Sequence, residues 1–319
     1  MEKFLSCDWG TSSFRLRLVQ PQSKAVIHET SSNQGIASVY KHWQSDESKP
    51  DRVQYFRSII EQQIKAIEEK QGESLAGTPV VISGMASSSV GMIELPYKEL
   101  PFLVDGSDLL VTTIESTEDF PHRLILISGA TTGKDVLRGE ETLLAGCSIT
   151  KTSTEQLFIF PGTHSKHIRV KNGWAKDFKT YMTGEVFDLL SNKSILAGAV
   201  EIDPLGLPVI GNEHFDEGIK DGTDANLLNS FFNVRINQLF GKRKPKDNFH
   251  YLSGLLIGAE LKSIADKPPV SITLVCDEKM RHSYYRGLQL LGLNSNMLTY
   301  KNTAEALING QLAICKIGS

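Results

Sequence analysis

Two short stretches of this 319-residue chain have residue types suited to holding phosphate. The first is CDWGTSS, from Cys7 to Ser13, and the second is PGTHSK, from Pro161 to Lys166. They repeat at one fixed offset, so that Leu5, Gly10, Thr11, Ser13 and Arg17 recur as Leu157, Gly162, Thr163, Ser165 and Arg169. A tight hairpin turn of glycine and hydroxyl residues directs backbone N–H groups and hydroxyls into a concavity that suits phosphate oxygens. Glycine there admits a positive φ and the close approach of a ligand. Gly10, Thr11, Ser12 and Ser13 form the first candidate cradle, and Gly162, Thr163, His164, Ser165 and Lys166 the second. Asp8 precedes only the first turn, where a carboxylate suits a Mg²⁺ ion or its waters; the second has Phe160 there. The copies therefore differ in role, with Lys166 and His164 fitting the second for phosphate charge. A single such turn is usually only a hairpin, but its repetition predicts two related halves that together hold a polyphosphate.

The elements that must carry these turns follow from pattern. KFLSCDWG and SFRLRLVQP read as strand, turn and strand, with Phe14, Leu16 and Leu18 alternating and Pro21 ending the hairpin. Residues 50–70 place Val53, Phe56, Ile60, Ile64 and Ile67 on one helical stripe, with Pro50 and Asp51 at its start and Gly72 at its end. PVVISGM (79–85) and RLILIS (123–128) are short apolar strands leading into loops, where α/β proteins place their sites. DVLRGEETLLAG (135–146) reads as helical, and LFIFPGTHSKHIRVKNG (157–173) as strand, turn and strand again. Helices are expected at 183–196, 225–240 and 250–264, with GKRKPKDN (241–248) a solvated loop between the last two. Gly254 and Gly258 give the last of these a flat face. A strand over 270–276, a helix over 282–292, a short strand and a final helix complete the pattern.

Length and composition (40% hydrophobic, 22% charged) predict two cores, placed at 1–145 and 146–319, with the last helix a candidate to return to the first lobe. The net charge of −3 supplies no basic field for a nucleic acid or an anionic membrane. No apolar run approaches the ~18–20 residues that span a bilayer, and no cationic start leads into an apolar segment, so a cytoplasmic protein is expected. Cys7, Cys147, Cys276 and Cys315 are widely spaced without a CxxC and read as small buried hydrophobes. His164 and His167 lack a third ligand nearby in sequence, so a metal pair is disfavoured.

DWGTSSFRLRLV resembles the first phosphate motif of the actin, hexokinase and Hsp70 superfamily, and PGTHSKHIRV resembles its second. More specifically, ISGMASSSVGMIELPY (82–97), RGEETLLAG (138–146), FPGTHSKHIRV (160–170), DFKTYMTGEVFDLL (177–190), NVRINQLFG (233–241) and LSGLLIGAEL (252–261) resemble, in order, the motifs of the 2-dehydro-3-deoxygalactonokinase family. The resemblance implies an α/β protein with the two-lobed actin-like ATPase (ribonuclease H-like) fold, duplicated domains around a cleft. It also implies transfer of the ATP γ-phosphoryl group, with Mg²⁺, to the 6-hydroxyl of 2-dehydro-3-deoxy-D-galactonate. In relatives of this superfamily a carboxylate opens the helix before the second phosphate motif, which makes Glu141 the first candidate base and Glu140 the second. Glu stands where relatives often use Asp, and Asp177 and Asp188 are further candidates. The anionic acceptor calls for an arginine or hydrogen-bond donors, which Arg138, Ser87, Ser88 and Ser89 can supply. By the same resemblance the adenosine region falls at Gly254, Cys276 and Asp277, although Cys276-Asp277-Glu278 stands where a glycine-containing turn is expected.

Three other readings compete. GATTGKD (129–135) looks like a Walker A loop but is one residue short and has Asp135 in place of the Mg²⁺-binding hydroxyl, leaving Lys134 as a possible contact only. An exopolyphosphatase-like hydrolase would share the first motif but not PGTHSKH. A non-catalytic actin-like nucleotide switch would leave the serine-rich block 82–97 unexplained.

Overall fold

The first apolar–polar alternation of the chain becomes the central hairpin of the first of two units. The computed structural model describes residues 2–48, 50–202, 211–224, 226–266, 269, 271–293 and 295–316. Ala225 and Val270, the expected first residues of a helix and a strand, lie outside these. The chain divides into one unit of Met1–Lys151, Gly173–Asp177 and Ala304–Ser319, and another of Thr152–Asn172 and Phe178–Thr303.

In the first unit β1 (Phe4–Trp9) and β2 (Phe14–Gln20) pair antiparallel, bringing Trp9 opposite Phe14. Leu16 and Leu18 are buried, as is Arg17, whose Nε donates to Glu29 at 2.6 Å. Glu29 lies on β3 (Ala25–Ser32), a partly exposed edge strand whose weak alternation gave no sequence signal. Helices α1 (Ile36–Ser45) and α2 (Arg52–Gln71) follow. Asp51 caps α2 by accepting from the Gln54 amide, and Gly72 ends it at φ 74°. Phe56, Ile60, Ile64 and Ile67 of its stripe are fully or almost fully buried, each stabilising the packing on the sheet by about 2 kcal/mol. Next come β4 (Val80–Gly84), β5 (Lys98–Glu99), β6 (Phe102–Leu103), β7 (Val111–Ile114), β8 (Leu124–Ile127), β9 (Ala130–Thr131), β10 (Val136–Leu137) and α3 (Glu140–Ala145). The main sheet runs β3-β2-β1-β4-β8-β7.

The second unit contains β11 (Gln156–Phe160), β12 (Ser165–Lys171), the second half of β13 (Trp174–Tyr181), α4 (Thr183–Lys193), α5 (Glu213–Asp224), α6 (Leu227–Leu239), α7 (Pro245–Asp266), β14 (Ser271–Cys276), α8 (Glu278–Leu290) and β15 (Leu298–Asn302). Its strands run β13-β12-β11-β14-β15, with β11 antiparallel to β12 and parallel to β14. This repeats the β3-β2-β1-β4-β8 order of the first unit, where β1 is likewise antiparallel to β2 and parallel to β4. The sequence repeat is therefore the visible part of a duplicated topology.

Two local expectations need correction. Residues 135–146 are not one helix: Val136 and Leu137 form a strand, and α3 starts only at Glu140. The rejection of a Walker A loop holds: GATTGKD spans a β9–β10 hairpin closed by the Thr132 amide on Asp135 O, and it leads into a strand where a Walker A loop would lead into a helix. The expected loop 241–248 is half helix, because Pro245, well tolerated in a first turn, begins α7. Helix α5 had no strong signal, since Gly218 and Gly222 lower its intrinsic propensity. Those glycines let it press backbone to backbone on α7: a Cβ at Gly218 would lie 2.3 Å from Tyr251 O, and one at Gly254 2.2 Å from Phe215 O.

The final helix, α9 (Thr303–Cys315), packs almost wholly within the first unit. Gln311, fully buried, places Nε2 3.2 Å from the carbonyls of Cys7 and Val81 and 3.0 Å from Ser83 Oγ. Gly310 and Gly146 bring α9 and α3 into backbone contact; a Cβ on Gly310 would fall 1.9 Å from Thr142 O. Among the described residues no helix is long and apolar enough to cross a membrane.

Substituting Gly310→Ala forces α9 away from α3 and is expected to lower the thermal midpoint by several degrees, about 1–3 kcal/mol. Gly198→Ala, whose added Cβ meets nothing within 4 Å, serves as the control. Equal melting of the two variants contradicts the close contact.

Candidate active site

Each glycine-hydroxyl turn is held by the start of a helix from its own unit. In the first, the Gly10 amide donates to Ser13 O at 2.9 Å, while Gly10 O and Thr11 O accept from the amides of Ile36 (3.0 Å) and Ala37 (3.1 Å) on α1. Gly35 makes this approach possible, because a Cβ there would fall 2.4 Å from Thr11 O. In the second, Thr163 O accepts from the Glu185 amide at 3.0 Å, and a Cβ on Gly184 would fall 2.6 Å from Gly162 O. The turns differ by one residue: Trp9 faces Phe14 across four residues, and Phe160 faces Lys166 across five. Neither Gly10 nor Gly162 has a positive φ, contrary to expectation. At Gly162 a Cβ would meet nothing within 4 Å, so glycine keeps space clear there instead of permitting an unusual backbone.

The side chains of the two turns are not alike. Thr11, Ser12 and Ser13 are exposed, as are Gly162, Thr163 and His164. Ser165 is fully buried and donates to Glu260 Oε1 at 2.6 Å, so its hydroxyl faces inward. Lys166 is buried with Nζ 3.3 Å from His164 O, and His164 Nε2 lies 2.5 Å from Glu185 Oε2. Asp8 is half-buried; burial raises its carboxyl above the usual range, against the lowering pull of Arg17 and Arg15.

Beside the second turn is a cavity of about 360 Å³. Gly162, Thr163, Thr183 and Gly184 form one wall, Phe187, Phe249, Ile257 and Met280 give it an apolar interior, and Asp277 stands at its edge. Asp277 caps α8, with Oδ1 accepting from the Met280 amide at 2.9 Å. No side chain caps the start of α4 on this wall; with the Glu185 amide taken by Thr163 O, the Thr183 and Gly184 amides are left to meet an anion. Gly254 and Cys276, placed with Asp277 by the sequence, serve packing: Gly254 faces α5, and Cys276 belongs to the core with Leu157, Ile272 and Tyr284.

The serine block and Arg138 meet in the first unit. Arg138 Nη1 donates to Ser87 O at 2.5 Å and to Ser87 Oγ at 2.7 Å, and its guanidinium stacks 4.2 Å from the Tyr97 ring centre. Ser87 Oγ donates onward to Ile127 O at 2.8 Å, and Ser88 Oγ to Met85 O at 2.7 Å, so both hydroxyls hold the loop together. Ser89 is exposed, and its carbonyl accepts from Arg52. Arg138 Nε is buried without a hydrogen-bond partner.

Gly139 joins Arg138 to the two glutamates at φ 115°, and a Cβ there would lie 3.4 Å from Gly84 Cα at the end of β4. The carboxylate of Glu141, fully buried, turns back to accept from the Gly139 amide at 3.0 and 2.7 Å and from Thr142 Oγ1 at 3.0 Å. Burial first, and the neighbouring Glu140 second, push it up to about 7. Glu140 is half-buried, and its Oε2 accepts from the Arg138 amide at 3.1 Å.

Comparison with known proteins agrees along the whole chain. The sequence model of the 2-keto-3-deoxy-galactonokinase family matches residues 8–314. The chain belongs to that family. It is 30% identical to the Escherichia coli (strain K12) 2-dehydro-3-deoxygalactonokinase over 299 residues, covering 91% of this chain and 90% of the relative. It is equally identical, with the same coverage, to the Rhizobium meliloti (strain 1021) protein named probable 2-dehydro-3-deoxygalactonokinase DgoK1. A Sinorhizobium meliloti protein solved as a candidate 2-dehydro-3-deoxygalactonokinase superposes with a TM-score of 0.81 at 28% identity, over 98% of this chain and 96% of that one. The Clostridium difficile activator of 2-hydroxyisocaproyl-CoA dehydratase, 11% identical, has a TM-score of 0.50 over 98% of this chain and 95% of that one. That likeness concerns fold alone, and it supports the actin-like ATPase architecture expected from the motifs.

Within this galactonokinase-family chain, sequence reasoning missed Gly35, Thr183, Gly184 and Glu260. Signals for the last three were present: Thr183-Gly184 sits inside the block 177–190, and Glu260 is the only charged residue in LSGLLIGAEL. Asp188, a lesser candidate base, accepts instead from Asn192 one helical turn on, and Asp177 belongs to the first unit.

Because Glu141 is raised from 4.5 to about 7, the folded state holds its proton more tightly than the unfolded chain. Its contribution to stability is full below its ordinary value and is lost as pH rises through about 7. Glu141→Gln should therefore gain in thermal midpoint relative to the parent between pH 5 and pH 8, by an amount on the order of 3 kcal/mol at most. A gap that stays constant across this range refutes the buried, proton-holding carboxyl.

Proposed function

We propose that this chain transfers the γ-phosphoryl group of ATP to the 6-hydroxyl of 2-dehydro-3-deoxy-D-galactonate. The observation that carries the nucleotide half of this reading is the cavity in the second unit, where an open glycine turn and the uncapped start of α4 adjoin an apolar interior. Phosphates fit the bare amides of Gly162, Thr163 and Gly184, and a purine fits between apolar walls such as Phe187, Phe249 and Met280. Thr163 and His164 extend toward solvent beside that turn and can follow the phosphates as charge shifts.

Among the described residues no group of three His, Cys, Asp or Glu side chains could hold a metal by itself. A Mg²⁺ ion fits the donor set all the same, since it is commonly bound through one carboxylate, substrate phosphates and water. Asp8 is that carboxylate, with Thr11, Ser12 and Ser13 beside it for water or phosphate oxygens. Bound there, the ion would neutralise charge on the transferring group.

The acceptor belongs with Arg138, whose half-buried, Tyr97-stacked guanidinium suits a carboxylate. In the reaction the bond from Pγ to the leaving β-phosphate oxygen breaks, the bond from O6 to Pγ forms, and the hydroxyl proton passes to a glutamate. Of the pair, Glu140 is the one open to solvent in this structure, so we assign it the proton. Glu141 fixes the Gly139 turn that presents it. Dependence on ATP supports a cytoplasmic location.

ADP release should require both ATP and the sugar acid, with the galactonate-derived epimer preferred over the gluconate-derived one in kcat/KM. ATP hydrolysis indifferent to the sugar acid rules the kinase out. Glu140→Gln should cut kcat by about 100-fold or more with little change in either KM; if Glu141→Gln does this and Glu140→Gln does not, the proton goes to Glu141. Asp8→Asn should raise the Mg²⁺ concentration needed for half-maximal rate by about tenfold, and an unchanged requirement removes Asp8 from the metal.

A further inference from the structure

Glu260 is the most heavily hydrogen-bonded carboxylate among the described residues, yet it lies in an otherwise apolar stretch of α7. Ser165 Oγ (2.6 Å) and His167 Nε2 (2.8 Å) meet Oε1, while Tyr284 Oη (2.7 Å) and Thr183 Oγ1 meet Oε2. A carboxylate can only accept, so all of these groups donate, two to each oxygen. The cluster is largely buried: Glu260 is 3% exposed, His167 5%, and Ser165 and Tyr284 not at all, while the half-buried Thr183 borders, with Glu260, a second cavity of about 550 Å³. A buried charge is tolerated only when its lone pairs are filled, and here the partners fill them.

The donors come from separate elements. Ser165 and His167 begin β12, immediately after the second glycine turn; Thr183 opens α4; Tyr284 lies on α8. Thr183 and Tyr284 also line the cavity that holds Gly162 and Thr163. The turn, the helix start that covers it and the cavity's far wall are thus tied to one side chain that does not itself line that cavity. His167 is further steadied by the Tyr181 ring, 4.5 Å away centre to centre.

We propose that Glu260 is a positioning residue for the nucleotide phosphates, acting through Ser165, Thr183 and Tyr284 to hold the second turn against the start of α4. The inference rests on the nucleotide reading of that cavity, but not on which sugar acid accepts the phosphoryl group. Glutamine is the informative replacement. It keeps shape and volume but presents an NH₂ donor to groups that were donating, so two of the partners must turn around or lose their bond.

The test is equilibrium binding of a non-hydrolysable ATP analogue with Mg²⁺ to the full chain, alongside steady-state kinetics at saturating sugar acid. Glu260→Gln, shown to be folded by circular dichroism, should weaken analogue binding by about tenfold or more and raise the KM for ATP in parallel. It should lower kcat at saturating ATP by less than about threefold. Analogue affinity within about twofold of the parent in the folded variant overturns the proposal, because a purely structural role would lower the melting point alone. If Glu260→Gln does not fold, Thr183→Val and Tyr284→Phe replace it. Each should weaken binding by about threefold and the pair by less than the product of the two; unchanged affinity in both overturns it. Should the parent bind the analogue but turn over no sugar acid, the substrate assignment fails while Glu260 is still judged by binding.

Discussion

Phosphate can be gripped by backbone amides only where no side chain stands in the way, and the site depends on that steric constraint. In each unit a hairpin turn is closed off by the first residues of a helix, and the contact passes through glycine: Gly35 on Thr11 and Ser12, Gly184 on Gly162 and Thr163. A Cβ at either helix position would overlap backbone that has nowhere to move. The sheet behind each turn fixes the strand ends, and the helix fixes the turn from the front. Packing of α2 in one unit and of α5, α7 and α8 in the other then holds the sheet and the helices in place.

The carboxylates near these turns divide labour by environment. Asp8 is half-buried on the strand leading into the first turn, suited to a cation that enters with a nucleotide. Glu141 is fully buried, raised to about 7 and accepts from the Gly139 amide. Glu140, one residue earlier, keeps access to solvent. Glu260 has its oxygens filled by donors, two of which, Thr183 and Tyr284, line the cavity; burial and the adjacent Glu260 hold the Tyr284 phenol well above its usual range, so it remains a donor.

The pattern-based reading worked where periodicity is local. The α2 stripe, its Asp51 cap, its Gly72 stop, the two hairpins and the strands before the loops all follow from residue order, because each is decided by neighbours within one or two turns of chain. It failed where glycine and proline hide a helix: α5, with Gly218 and Gly222, is stable only because α7 offers a matching bare face, and α7 starts at a proline inside a charged run. The hydroxyl residues misled for a related reason. Ser87, Ser88 and Ser165 have the right type for ligand binding, but a hydroxyl turns toward whichever acceptor the fold supplies, and here those acceptors are internal.

Sequence alone determined the family, the duplicated hairpin and the asymmetry between its copies, since Asp8 against Phe160 is readable without coordinates. It also ranked the adjacent Glu141 and Glu140 ahead of Asp177 and Asp188 as candidate bases. Only the tertiary structure decided which glutamate is buried, that glycine keeps space clear at Gly162, and that Gly35, Gly184 and Glu260 pack against or bond to the turns. Those outcomes depend on contacts between residues far apart in the chain, such as Glu260 with Ser165 or Gly310 with Thr142. No local pattern encodes which distant backbone or donor will arrive beside a given atom.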